Sequence, residues 1–138
     1  MPIESYWLLP EKILHVAIIG DISIDEVARA SHDAITIFNR SSTAPIHIIV
    51  DDSRGGDPPK SIRKLIDAIM VVRHAKMGWM VVYGGENQLA KYILQILAGV
   101  TNLRYRRCQT LREAVAFLIT VDDSLPDINH LLPLAEYK

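Results

Sequence analysis

The chain has 138 residues, of which 49% are hydrophobic and 22% are charged, enough apolar material for one globular domain with a buried core. Its formal net charge of −1 gives no overall attraction to nucleic acid or to an anionic membrane, and no apolar run approaches the roughly 20 residues of a membrane span. The one cysteine cannot form an internal disulfide and the N-terminus lacks a signal-peptide pattern, so we expect a cytoplasmic protein.

Two short apolar runs open the chain, Tyr6–Leu9 and Ile13–Ile19. The three-residue turn between them predicts an antiparallel hairpin whose first strand lies at the sheet edge. Ser23 and Glu26 have the spacing of a capping box, which predicts that a helix begins at Ile24. Its apolar positions recur at helical spacing, at Val27, Ala30, Ser31, Ala34, Ile35 and Phe38.

The middle of the chain alternates strands with helices. Ile46–Val50 is continuously apolar and β-branched, which is typical of a parallel strand covered by helices on both faces. Trp79–Tyr83 predicts the next strand, and an apolar stripe follows each of the two. The second helix has the stripe Ile62, Leu65, Ile66, Ile69 and Met70, and the third has Leu89, Ile93, Ile96, Leu97 and Val100.

Leu103–Cys108 alternates in polarity, which predicts a strand with one solvated face. Thr110 and Glu113 repeat the capping-box spacing before a fourth helix. We expect a single α/β domain over residues 1–138, with a mostly parallel five-stranded sheet, an antiparallel N-terminal edge strand and four helices. Residues 121–138 are apolar enough to form a C-terminal tail that docks on the domain or on a partner.

The stretch Ile46–Ser61 contains the candidate site. Ligands of open α/β sheets bind beyond the carboxyl ends of the strands, where this stretch and the Gly84-Gly85 pair are expected to lie. A helix start after paired glycines also attracts anions. Aspartate, serine and glycine are equally typical of turns and caps. The candidate residues for binding a partner or a ligand are Asp51, Asp52, Ser53, Asp57, Ser61, Ile62, Gly84 and Gly85.

No catalytic constellation is evident. The five histidines lie on different predicted elements at no metal-ligand spacing, and neither glycine pair is part of a nucleotide-binding motif. An enzymatic interpretation would place a hard cation such as Mg²⁺ among Asp21, Asp51 and Asp52, but aspartates that cap turns are the simpler explanation. We therefore expect neither an enzyme nor a cofactor or metal.

Four segments carry a family resemblance: Val16–Asp21, IHIIVDDS at 46–53, WMVVYGG at 79–85 and LRYRRCQTLREAVAFL at 103–118. With the element order, they resemble the SpoIIAA-like branch of the STAS superfamily, which is sometimes grouped with Sec14-type domains. The resemblance implies a non-enzymatic regulatory module that binds a protein partner, as the anti-sigma-factor antagonists of that superfamily do.

In those antagonists a phosphorylatable serine begins the helix after the third strand, and Ser61 falls close to that place. The segment Asp57–Ile62 lacks the tandem serines and the following glycine, so we expect no standard phosphoserine switch.

The partner would bind the turn Ser53–Ser61 and the helix it starts. The alternative is a small apolar or lipid-like ligand in a Sec14-like cavity between the second and third helices and the sheet. Self-association through the edge strand or the tail is also expected.

Overall fold

The computed structural model describes residues 2–126, which form five strands and four helices in the predicted order. A 3-10 helix at Met70–Arg73 joins the second helix to the fourth strand. The elements are β1 (Ile3–Leu9), β2 (Ile13–Gly20), α1 (Ile24–Arg40), β3 (Ile46–Gly55), α2 (Ile62–Ala68), β4 (Met77–Tyr83), α3 (Gln88–Thr101), β5 (Arg104–Cys108) and α4 (Leu111–Val121).

The sheet has the strand order β1-β2-β3-β4-β5. β1 is antiparallel to β2, and every other neighbouring pair is parallel. At the centre, Val50 of β3 pairs with Val16 on one side and with Val82 on the other. The expected α/β class, the parallel sheet and the antiparallel N-terminal edge strand are therefore confirmed.

Alternation along the strands divides the interior into two cores, because successive side chains of a strand point to opposite faces. Even-numbered side chains of β2, β3 and β4 face α1, α2 and α3, and odd-numbered ones face α4. The first core includes Leu14, Ile48 and Met80 packed with Phe38 and Leu97. The second includes Ile13, Ile49 and Val81 packed with Val115 and Leu118.

Side chains of the preceding residue cap all four helices. Ser23 and Glu26 form the predicted capping box at the start of α1. At α4, the Glu113 amide donates to Thr110 Oγ1 as expected. The Glu113 carboxylate, however, accepts from the amide of Gln109 and not from Thr110, so the second capping box is only half formed.

β5 alternates as predicted. Arg104 and Arg106 are exposed, and their guanidinium groups lie 5.7 and 4.6 Å from the ring centres of Trp79 and Phe117. Tyr105 points the other way and packs against the core under α1 and α3. The charges on this edge strand discourage pairing with another strand, while their cation–π contacts hold them over the sheet.

The predicted stripes of α2 and α3 were partly wrong. α2 ends at Ala68, so Met70 begins the 3-10 helix and is 59% exposed. On α3, Leu89 and Val100 are exposed at 41% and 57%, and Leu94 is buried instead. At 3.6 residues per turn, Leu94 lies well around the helix from those two, and it is the face that includes Leu94 that meets the sheet.

α2 packs on α1 and α3 rather than directly on the sheet, so it bridges the two longer helices.

Of the tail expected over 121–138, Val121 ends α4 and Leu125 is buried in the core beneath α4. The remaining tail residues, 127–138, lie outside the described part of the chain. None of the helices within residues 2–126 has the length and apolar character that crossing a membrane requires.

Candidate functional site

An apolar cavity of about 200 Å³ lies between the sheet and the three helices of one face. Its floor consists of even-numbered strand residues: Val16, Ile18, Ile48, Val50, Met80 and Val82. An engineered apolar cavity of roughly 150 Å³ stays dry and binds benzene. The cavity is therefore large enough to hold a small apolar molecule.

Small side chains on α1 leave this space open. Ala30, Ser31 and Ala34 line the cavity from the inner face of α1, where larger residues would reach the sheet. The Ser31 hydroxyl accepts a hydrogen bond of 2.9 Å from the backbone amide of Val71, so its polar atom is satisfied. These small residues recur at helical spacing and were predicted to lie in the core. Their small size is the sequence feature that could have indicated the cavity.

α2 forms the roof. Its Leu65 is buried against Val27 of α1 and Ile93 of α3, in a cluster separate from the two main cores. All three residues also line the cavity. The side chains that join the three helices to one another thus also form the wall of the cavity opposite the sheet.

Asp52 lies at the polar rim of the cavity, near the carboxyl end of β3. Burial raises the pKa of this carboxyl group; the positive charge of Arg107 acts against that effect, and the charge of Asp51 adds to it. A Cβ atom at Gly55 or Gly85 would overlap the Asp52 carboxylate, so a larger residue at either position would require the Asp52 side chain to move.

Asp51 lies on the opposite face of the sheet. It is buried and accepts hydrogen bonds from the Ser53 amide at 2.9 Å and the Ser53 hydroxyl at 2.6 Å. Burial, together with the charge of Asp51 and a hydrogen bond to it, raises the pKa of Tyr83. The Tyr83 hydroxyl also forms a hydrogen bond of 2.9 Å with His15 Nε2. Tyr6 stacks on His15 and completes this buried polar cluster.

The geometry argues against the magnesium interpretation. Asp51 and Asp52 are consecutive residues of a strand and point to opposite faces. The Asp21 carboxylate instead holds the loop after β3, since it accepts a hydrogen bond of 2.8 Å from the backbone amide of Asp57. In the part of the chain that the structure describes, no three His, Cys, Asp or Glu side chains are grouped to hold a metal ion.

No family model matches the chain, and no curated protein sequence matches it. A similar solved structure is described as an uncharacterised protein of the DUF3478 family with a SpoIIAA-like fold, from Shewanella loihica PV-4. The two structures align with a TM-score of 0.60 over 84% of this chain and 91% of that chain, at 14% sequence identity. The chain has a SpoIIAA-like fold. The resemblance in the sequence is thereby confirmed for the fold, and this likeness carries no activity with it.

In this SpoIIAA-like fold the remaining candidate residues, Ser61, Ile62 and Gly84, begin a helix or form a turn. Ser61 caps α2 by accepting from the Lys64 amide at 3.3 Å, and Ile62 is the first residue of that helix. Gly84 has a φ of +87°, and a Cβ there would overlap Ser53. The eight candidate residues therefore fall into three groups. Asp52, Asp57 and Gly85 lie at the cavity rim, Asp51, Ser53 and Gly84 lie around the opposite polar cluster, and Ser61 and Ile62 begin the roof.

Proposed function

We propose that this protein binds a small apolar molecule in the cavity beneath α2. The observation that carries the proposal is an apolar cavity of about 200 Å³ that is lined by the sheet, α1, α2 and α3 and is open on one side to solvent. Protein interiors are packed as densely as organic crystals, with few voids larger than a water molecule. A ligand that fills this cavity would bury apolar surface of its own and of the lining residues, and by binding the folded state it would raise its stability.

The cavity supports the small-ligand alternative over the regulatory module that the resemblance put first. The sequence analysis placed this cavity between the second and third helices and the sheet; in the structure, residues of α1 line it as well. Apolar lining with a few polar groups at one end is the usual character of a small-molecule site. The proposal assigns a binding role and no chemical reaction.

Toluene is a suitable first probe, because it is apolar and carries no hydrogen-bonding group. We expect NMR methyl signals of Ile48, Val50 and Ile93 to shift as toluene is added, since these residues line the cavity. Signals of Val115 and Leu118, which lie in the core beneath α4, serve as the internal reference and should stay in place. Absence of any shift, or equal shifts in both groups, would refute the proposal.

Ala34→Leu gives the matched variant. Ala34 is 7% exposed and lines the cavity, so a leucine side chain there would occupy the space a ligand needs. We expect the variant to fold, as judged by circular dichroism, and to lose the toluene-dependent shifts. Retention of toluene binding by a folded variant would place the binding site elsewhere.

A protein-interaction role remains the second candidate, through the turn Ser53–Ser61 and the helix that follows it. A groove between α2 and α3 favours it, because the half-buried Ile62 and Ile66 lie there beside the exposed Val100 and could contact a partner. Ile62→Arg should then abolish capture of a partner from cell extract. Gln95→Arg, an equal change of charge on the exposed side of α3, should leave capture intact. Equal capture by both variants would count against this role.

A further inference from the structure

We infer that the cavity selects an apolar molecule whose polar end donates hydrogen bonds, an alcohol or a protonated amine, and that it discriminates against carboxylates through Asp52 at its rim. This inference rests on the proposed function, since it concerns the chemistry of the ligand that the same cavity would hold.

The charges of the lining point to this class of ligand. Among the described residues that line the cavity, the ionisable ones are Asp52 and Asp57, and both are acids. No lysine, arginine or histidine is among them, so a carboxylate ligand would find no countercharge within the cavity. Like charges brought together in a partly dehydrated site repel more strongly than in water. A neutral or cationic polar end avoids that repulsion.

The Asp52 carboxylate has hydrogen-bonding capacity to offer a ligand. None of the hydrogen bonds found among residues 2–126 uses its oxygens, whereas the neighbouring Asp51 accepts two from Ser53. A carboxyl group keeps an acceptor oxygen whether or not it is protonated, and an ionised one has about four lone-pair sites. A donor on the ligand would satisfy this group where burial limits its access to water.

The chain around Asp52 packs against the side of its carboxylate that faces away from the cavity lining. Gly55 and Gly85 approach its carboxylate so closely that neither position accepts a Cβ atom. The positive charge of Arg107 acts on Asp52, yet its Nη2 donates to the Gly85 carbonyl at 2.9 Å and Arg107 does not line the cavity. The arginine therefore acts on Asp52 from beside the loop and leaves the cavity side of the carboxylate to a ligand.

Four probes with the same octyl tail separate the alternatives: 1-octanol, octylamine, octanoate and 1-methoxyoctane, which accepts hydrogen bonds and donates none. Calorimetric titration at about pH 8 keeps the amine protonated and the acid ionised. We expect 1-octanol, octylamine or both to bind about tenfold or more tightly than octanoate and 1-methoxyoctane. Tighter binding of octylamine identifies an ammonium group as the preferred end, and tighter binding of 1-octanol identifies a hydroxyl.

Variants of Asp52 test its part directly. Asp52→Leu removes the acceptor and should abolish the preference for donors, while Asp52→Asn keeps an acceptor without the charge and should weaken octylamine more than 1-octanol. Asp33→Asn removes the same charge on the exposed side of α1 and is the control. Circular dichroism and toluene binding check that each variant retains its fold and cavity.

The outcomes separate the two proposals. Octanoate or 1-methoxyoctane binding as tightly as the donors, or an unchanged preference in folded Asp52→Leu, would overturn the selectivity while leaving an apolar site in place. Failure of all four probes and of toluene to bind would remove the apolar site itself, and the inference with it.

Discussion

At the scale of single residues, His47 is a buried imidazole with both ring nitrogens engaged. Its Nδ1 accepts from the Trp79 backbone amide at 2.9 Å, and its Nε2 lies 2.7 Å from Asp122 Oδ2. Because Nδ1 accepts, Nε2 must carry the hydrogen and donate it to Asp122, so the ring is neutral in this arrangement. Burial lowers the pKa of His47; Asp122 acts to raise it, and the charges of Arg104 and Lys12 lower it further.

This environment predicts a loss of stability in mild acid. The unfolded chain has an ordinary histidine pKa of about 6.5, and the folded value is lower, so the unfolded state binds more protons below that pH. The contribution of His47 is fully present above about pH 6.5, and the free energy of unfolding falls as the pH drops from there through the folded pKa. Urea unfolding between about pH 7 and pH 5 measures the loss. An NMR titration that placed the pKa of His47 above the ordinary value would contradict the assignment.

Gly78 gives His47 its space. A Cβ atom at Gly78 would overlap Nδ1 and Cε1 of His47, whose ring is fixed by two hydrogen bonds. We expect Gly78→Ala to lower the free energy of unfolding by about 1–3 kcal/mol, the usual cost of overpacking. In Gly99→Ala the added Cβ has nothing within 4 Å, and the change within α3 should raise stability by up to about 1 kcal/mol. Equal effects in urea unfolding would show that the His47 contact is not responsible.

At the scale of elements, α2 is the weakest part of the cavity wall. It has only seven residues and depends on Ser61 as its N-cap. Helices this short are not stable on their own, so the cap and the contacts with α1 and α3 hold it in place. Opening of the roof is thus expected to begin at α2.

Removal of helix caps tests this role of α2. Ser61→Ala and Thr110→Ala each remove an N-cap hydrogen bond, and each should cost about 1 kcal/mol of stability. Only Ser61→Ala should also weaken toluene binding and speed hydrogen exchange in α2, because Thr110 caps α4 on the far side of the sheet. Equal weakening of toluene binding by the two variants would mean that stability, and not the roof, controls binding.

Element boundaries show what the sequence could reveal. The start of α1 and the central strand were predicted correctly, because the capping box at Ser23 and the β-branched run at Ile46–Val50 act locally. β3, however, continues past both aspartates to Gly55; Asp52 lines the cavity, whereas Asp51 binds Ser53 on the other face of the sheet. Sequence reasoning ended the strand before the aspartates and placed them in one site. Their separation depends on pairing with β2 and β4, which single residues do not encode.

At the scale of the whole molecule, the two sides of the sheet are packed differently. The side beneath α4 has Ala114, Val115 and Leu118 fully buried, with none of them lining the cavity. The other side contains the cavity, whose size depends on how far α2 holds α1 and α3 apart. This distance is a property of the assembled helices, so the small residues of α1 could indicate a cavity in the sequence but not its size.

Two equivalent substitutions compare the two sides. Ala114→Leu inserts a larger side chain where Ala114 has no exposed surface, and it should cost about 1–3 kcal/mol. Ala34→Leu makes the same change at the cavity and should leave the free energy of unfolding unchanged or higher, because the side chain fills existing space. Thermal unfolding of both variants provides the comparison. Equal losses would indicate that the space under α2 is not available to a side chain.

Alternation along β2, β3 and β4 has a consequence for engineering. Even-numbered positions such as Ile48, Val50 and Val82 form the cavity floor, while odd-numbered neighbours such as Ile49 and Val81 belong to the core under α4. The same strands thus hold two sets of positions that can be varied separately. A library restricted to the even set would reshape the pocket for new ligands while the odd set preserves the scaffold.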